Sequence, residues 1–124
     1  MQISYRLAFG VALVLVVSGG VARAQHDIAD VVDSAKRGDL ETLRDVIAAG
    51  ADAAAVSPDG ATALLWASYR DDIEMAGWLL TVNAAVNTAN DLGVTPLWAA
   101  SENRSAQMVA LLLENDADPN LALL

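Results

Sequence analysis

Cysteine is absent from this 124-residue chain, and histidine occurs once, at His26. The first absence excludes a disulfide framework, a thiol nucleophile and a thiolate metal site. The second leaves no usable partner for the common histidine general-base route. No G-x-S-x-G elbow occurs. Ser18-Gly19-Gly20 lacks the following lysine and helix of a phosphate loop. Basic residues are also scarce: 7 Lys and Arg stand against 16 Asp and Glu, for a net charge of −9. The first 24 residues hold Arg6 and Arg23 and no acid, so five basic residues against sixteen acids leave −11 on the remainder. Such a surface repels phosphate backbones, which excludes nucleic acid as the expected partner and favours a basic protein.

The acids that are present sit in clusters: Asp71-Asp72-Glu74, Asp116 with Asp118, and Asp27 with Asp30. Their positions in turns and at helix starts suit capping and the positive end of the helix dipole better than a carboxylate pair across a substrate cleft. The alternation of acids in a calcium loop is not sustained at Asp116-Ala117-Asp118. His26 has no second ligand. Neither a metal nor another cofactor is expected.

The apolar run Leu7–Val17 follows Arg6 and precedes Ser18-Gly19-Gly20 and Ala22-Arg23-Ala24. This is the order of a secretory signal peptide with an A-x-A site, so residues 1–24 read as a leader cut between Ala24 and Gln25. The run is shorter than the ~20 apolar residues of a spanning helix. The expected location is therefore periplasmic or secreted, with no membrane attachment after cleavage. An uncleaved anchor is the alternative.

The remainder repeats. A shift of 33 residues carries Gly60, Thr62 and Leu64 onto Gly93, Thr95 and Leu97, and Leu79-Leu80 onto Leu112-Leu113. Ala51, Ala84 and Ala117 keep the same spacing, and Asn87 falls on Asn120. A period in this range signals stacked repeats. In the last unit Asp91-Leu92-Gly93 is a turn, and Thr95-Pro96 is a cap followed by the favoured first helical residue. A short helix follows. After Asn103-Arg104-Ser105 a second helix, Ala106–Glu114, carries Met108, Leu111 and Leu112 at helical spacing. The preceding unit has Pro58-Asp59-Gly60 as turn, Thr62 and Asp72 as caps, and helices Ala63–Tyr69 and Ile73–Val82. Before it, Asp27–Arg37 and Leu40–Ala49 form a pair split by Gly38-Asp39, with Gly50 beyond the second helix. The charged outer helix of that pair suits an end cap.

These motifs resemble the ankyrin repeat family: GVTPLWAAS at 93–101, GATALLWAS at 60–68, GADAA at 50–54, NAAVN at 83–87 and DADPN at 116–120. The resemblance implies an all-α solenoid over 25–124, with repeats at about 27–56, 57–89 and 90–122. That is an N-terminal capping repeat plus two full repeats, with no C-terminal cap. Stacked arrays usually end on a polar cap, so a fragment of a longer array is expected. Departures from the pattern are Ala63 for proline, and Leu65 and Trp98 for histidine. Asp71 and Arg104 replace the glycine between helices, and Asn83 and Asp116 replace the glycine at the exit.

The family resemblance further implies a non-catalytic, monomeric protein-interaction scaffold that binds through turn tips and the exposed side of the first helices. On that mapping the partner meets Pro58, Asp59, Ala61, Tyr69 and Arg70 in the middle repeat. In the last repeat it meets Asp91, Leu92, Val94, Glu102 and Asn103. Trp98 is a further contact, while Trp66 and Trp78 fill the core. Packing of Leu92 and Val94 against the neighbouring turn is the alternative. Two other roles stay open: an accessory module of a longer envelope protein or enzyme, and a secreted effector binding host proteins.

Overall fold

The computed structural model describes residues 20–121, with side chains from Ala29 onward. The leader reading of 1–24 therefore falls largely outside the described residues, as does the His26 side chain. Six helices follow in order: α1 Gly20–Arg37, α2 Leu40–Ala48, α3 Ala63–Tyr69, α4 Ile73–Thr81, α5 Pro96–Glu102 and α6 Ala106–Glu114. Among the described residues extended pairing is limited to one antiparallel bridge, Val56 with Thr62. None of the described helices is long and apolar enough to cross a membrane. The helix α1 starts at Gly20 rather than at the expected Asp27, so the backbone at Ala24–Gln25 is helical. No proline or capping residue interrupts Val21–Gln25, and its alanines, arginine and glutamine are good helix formers.

Each later helix begins on a side chain that accepts an orphan amide. Asp39 accepts from Thr42 N at 3.1 Å and Thr62 from Leu65 N at 3.1 Å. Asp72, Thr95 and Ser105 do the same for Met75, Trp98 and Met108. Pro96 occupies the first turn of α5, where its missing N–H costs nothing. The helices end on left-handed residues that recur in register. Gly38, Asp71 and Arg104 have φ of 77°, 57° and 57°, and Gly50, Asn83 and Asp116 have 111°, 67° and 70°. The same closing bond recurs with them: Ala51 N to Val46 O, Ala84 N to Leu79 O, and Ala117 N to Leu112 O. Four non-glycine residues thus occupy positions that glycine would hold without strain.

The first helices α1, α3 and α5 pack side by side, each also packs on its own second helix, and α4 packs on α6. Ser34, Ala67 and Ala100, at one repeat position, are fully buried where the first helices meet. Their small side chains let the helices approach closely. Behind them Leu43, Leu64, Met75, Leu79, Met108 and Leu112 fill one continuous core. The architecture is the expected all-helical solenoid.

Leu112 is fully buried, so Leu112→Ala should cost about 2–5 kcal/mol in urea unfolding. Arg104→Gly should instead stabilise by about 0.5–1 kcal/mol, because relief of the left-handed strain exceeds the entropy glycine adds to the unfolded chain. A lower urea midpoint for Arg104→Gly would contradict the strain.

Candidate protein-interaction surface

The surface begins at the turn tips. Ser57 N donates to Ala61 O at 2.9 Å and Gly60 N to Ser57 O at 2.8 Å. One repeat later Asn90 N donates to Val94 O at 3.0 Å and Gly93 N to Asn90 O at 2.9 Å. Gly60 and Gly93, at φ 82° and 81°, supply the positive dihedral each turn requires. The side chains lock the two tips differently. The Asp59 carboxylate accepts from the Ser57 hydroxyl and from Ala61 N. The Asn90 amide oxygen accepts from Leu92 N and Val94 N, both at 3.0 Å. The tips also touch one another, with Asp91 N donating to Asp59 O at 2.9 Å. A Cβ on Gly60 would stand 3.0 Å from the Asp91 carboxylate and 3.1 Å from the Asn90 backbone, so the close approach itself calls for glycine.

The Ser57 hydroxyl and the Ala61 amide hold the Asp59 carboxyl below the ordinary aspartate range, and the Lys36 ammonium adds to the effect. The Thr42 hydroxyl and amide lower Asp39 in the same direction, with Arg37 contributing. Lys36 links the tips to the helices, because its ammonium also lies 5.2 Å from the Trp66 ring centroid. Trp66 in turn stacks on Tyr69, with centroids 5.9 Å apart and planes at 27°. Lys36, Tyr69 and Glu102 share one repeat position at the ends of α1, α3 and α5 and are all exposed. Asp59, Lys36, Trp66 and Tyr69 thus form one connected track.

Asp59, Asp91 and Leu92 are exposed at adjoining tips, Leu92 at 74%, and Tyr69 is 57% exposed. Two other expected contacts are corrected. Ala61 and Val94 are buried, and with Leu65 and Ala99 they form a second small core beneath the tips. The turn at Gly93, with its positive φ, separates the exposed Leu92 from the buried Val94. Trp66 and Trp98 pack half-buried against this second core, and Trp78 packs half-buried against the main one. The Arg44 guanidinium lies over the Trp78 ring at 5.5 Å.

Arg70 and Asn103 are exposed yet engaged. The Arg70 guanidinium donates to Lys36 O at 3.3 Å and covers Gly38, where a Cβ would stand 2.5 Å from Nη2. The Asn103 amide donates to Ser68 O at 3.0 Å and Tyr69 O at 2.9 Å. Both occupy one repeat position, and both clasp the end of the preceding first helix. A third clasp joins the exit loops: Asn87 donates to Asp116 O at 3.2 Å and accepts from Asp118 N at 2.8 Å. Sequence reasoning missed Lys36 and Trp66 as members of the track. The period held the signal for Lys36, since one repeat before Tyr69 is Lys36.

Turn, helix, helix and exit, stacked in register and joined by clasps, define a repeat scaffold that presents its tips and first-helix ends. The chain belongs to the ankyrin repeat family: the family model for ankyrin repeats, in three copies, matches residues 31–122. Curated relatives include the palmitoyltransferase AKR1 of Lachancea kluyveri, 41% identical over 63 residues, which are 51% of this chain and 8% of that protein. The palmitoyltransferase ZDHHC17 of Homo sapiens is 30% identical over 93 residues, 74% of this chain and 15% of that protein. The putative palmitoyltransferase ZDHHC13 of Danio rerio is 28% identical over 94 residues, with coverage of 75% and 15%. The match is thus confined to a small part of each relative.

These relatives correct the expectation of a periplasmic or secreted protein. They are palmitoyltransferases matched over their ankyrin stretch, not exported proteins. Export had rested on the apolar run Leu7–Val17, outside the described residues, and on a cut at Ala24–Gln25, where the backbone is helical.

Asn103→Ala should lower stability by about 1–2 kcal/mol, since two carbonyls lose their donor, and Arg70→Ala by about 0.5–1.5 kcal/mol. Tyr69→Ala should change it by less than about 0.5 kcal/mol if Tyr69 only covers Trp66. Urea unfolding distinguishes the three. The pH dependence follows from the lowered carboxyls. Their contribution is present above the unfolded aspartate value of about 3.9 and is lost as pH falls through the lower folded values. The urea midpoint should therefore fall on acidification in that range, and less so in Asp39→Asn and Asp59→Asn.

Proposed function

We propose that this ankyrin array is a non-catalytic scaffold that binds a protein along the track of tips and first-helix ends. The observation that carries the reading is the exposure of Leu92 and Tyr69 on a face whose neighbouring polar residues are already engaged within the fold. Leu92 stands at the paired tips, and Tyr69 stacks on Trp66, whose ring the Lys36 ammonium also approaches. A large apolar side chain and an aromatic ring held on a rigid support suit anchor contacts, because little side-chain entropy is lost on binding. The acidic balance of the chain, with Asp59, Asp91 and Glu102 on this side, favours a partner with basic groups at its rim. One such partner binds one chain, with no cofactor.

A second reading places the array as the binding module of a larger polypeptide, an enzyme included. Its support is that the relatives are palmitoyltransferases of which the matched stretch is 8% and 15%. In that setting the array holds a partner while the chemistry lies elsewhere.

Photocrosslinkers placed at Leu92 and Tyr69 should trap the same partner from an extract of the producing cells, whereas one at Glu74, on the second helix, should not. Leu92→Ala and Tyr69→Ala should each weaken the trapped partner's binding about tenfold, near 1.4 kcal/mol. Both should do so with an unchanged melting temperature. Equal trapping at all three positions would rule out the track as the binding face.

A further inference from the structure

The ends of the three first helices carry a row of graded charge. Lys36, Tyr69 and Glu102 occupy one repeat position and are all exposed. The clasps set them side by side. Arg70, next to Tyr69, donates to Lys36 O at 3.3 Å, and Asn103, next to Glu102, donates to Tyr69 O at 2.9 Å. An ammonium, a phenol ring and a carboxylate thus follow one another across α1, α3 and α5. With packed helix axes about 8–10 Å apart, the two charges stand roughly 16–20 Å from each other along the row.

Glu102 is the informative member. It closes α5, at the end where the helix dipole disfavours a negative charge. Lys36, in the last turn of α1, has the favoured sign. Among the described residues the Glu102 carboxylate has neither an ion-pair nor a hydrogen-bond partner. The basic residue of its own unit, Arg104, lies past the clasp in the turn that leads to α6. A local rule is broken here with no compensating contact inside the fold, which is the mark of a functional position. The Lys36 ammonium also donates no hydrogen bond among the described residues and rests over the Trp66 ring. The acid that acts on it, Asp59, has its carboxylate engaged by Ser57 and Ala61, and Asp33 stands one turn back on α1. Arg70, over Gly38, adds positive charge on the α1 side, and the exposed Asp91 adds negative charge in the last unit.

We infer that this row binds an extended segment of a partner protein, with an acidic side chain over Lys36 and a basic one over Glu102. The inference rests on the track being the binding face, and it adds the chemistry and the orientation of what lies there. An extended chain advances about 3.3 Å per residue, so the acid and the base stand roughly five or six residues apart in the segment. Between them an apolar or aromatic side chain meets Tyr69, whose ring Trp66 backs. The net negative charge of the chain would by itself call only for a basic partner. The row requires an acid as well and fixes the end at which it sits, so a segment that is basic throughout is repelled at Lys36.

The test selects random peptides of about ten residues, displayed on phage, against the full chain and keeps those that Tyr69→Ala weakens. They should carry an acid and a base at the stated separation. Replacing the peptide's acid by glutamine should cost affinity on the native chain but not on Lys36→Gln. Replacing its base should cost affinity on the native chain but not on Glu102→Gln. Each coupling should be about two- to fivefold, as for exposed ion pairs, and should shrink in high salt. Glu102→Gln should weaken the peptides while holding or raising the melting temperature of the free chain, because it removes a charge that opposes the dipole of α5. A purely structural Glu102 would lose stability instead, which counts against the inference. Tyr69-dependent peptides that carry bases alone, or whose acid matters equally with and without Lys36, overturn the charge order and leave the track standing. Peptide binding that Tyr69→Ala never weakens overturns the track and the charge order together.

Discussion

The rest of the structure depends on the close approach of the first helices. Ser34, Ala67 and Ala100 form a column with no side chain larger than a hydroxymethyl, and all three are fully buried where α1, α3 and α5 meet. A single helix pair of this length cannot bury its own apolar face, so each unit gains stability from its neighbours. Close approach brings the turn tips into backbone contact at Asp91 and Asp59. It also brings the carbonyl ends of one helix within reach of the next unit's side chains, which is why Arg70 and Asn103 act as clasps.

The same constraint divides the surface. Residues that face the neighbouring unit are used up by it: Ala61 and Val94 close a second core, and Arg70 and Asn103 satisfy carbonyls. Residues that project between or beyond the clasps stay available. Leu92, Tyr69 and Glu102 are of that kind, and their identities differ while the scaffold beneath them repeats. Side-chain identity can thus change at these positions with little effect on stacking, because the scaffold residues and the exposed residues occupy different repeat positions.

Local order was legible from local chemistry. The threonine, aspartate and serine caps and Pro96 place the starts of α2 to α6. The left-handed stops fall where Asp71, Asn83, Arg104 and Asp116 stand in for glycine. Each of these signals acts within a few residues. The exception is α1, which runs back to Gly20, because nothing in Val21–Gln25 opposes a helix although the small residues there also fit a cleavage site. The expectation of a periplasmic or secreted location was overturned by kinship over the ankyrin stretch, which no local pattern in the chain announces.

The sequence by itself determined the period, the helix pairs, the caps and the buried stripe of Met108 and Leu112, since all follow from spacing along one unit. Only the tertiary structure decided which side of each turn points inward, what Arg70 and Asn103 hold, and that Lys36, Trp66 and Tyr69 join into one track. Those outcomes depend on distances between units rather than within them. Residues 34 and 35 apart in the chain become hydrogen-bond partners because the helices pack side by side. The 33-residue shift gives each residue its counterpart, while the packing of one unit on the next gives it a neighbour.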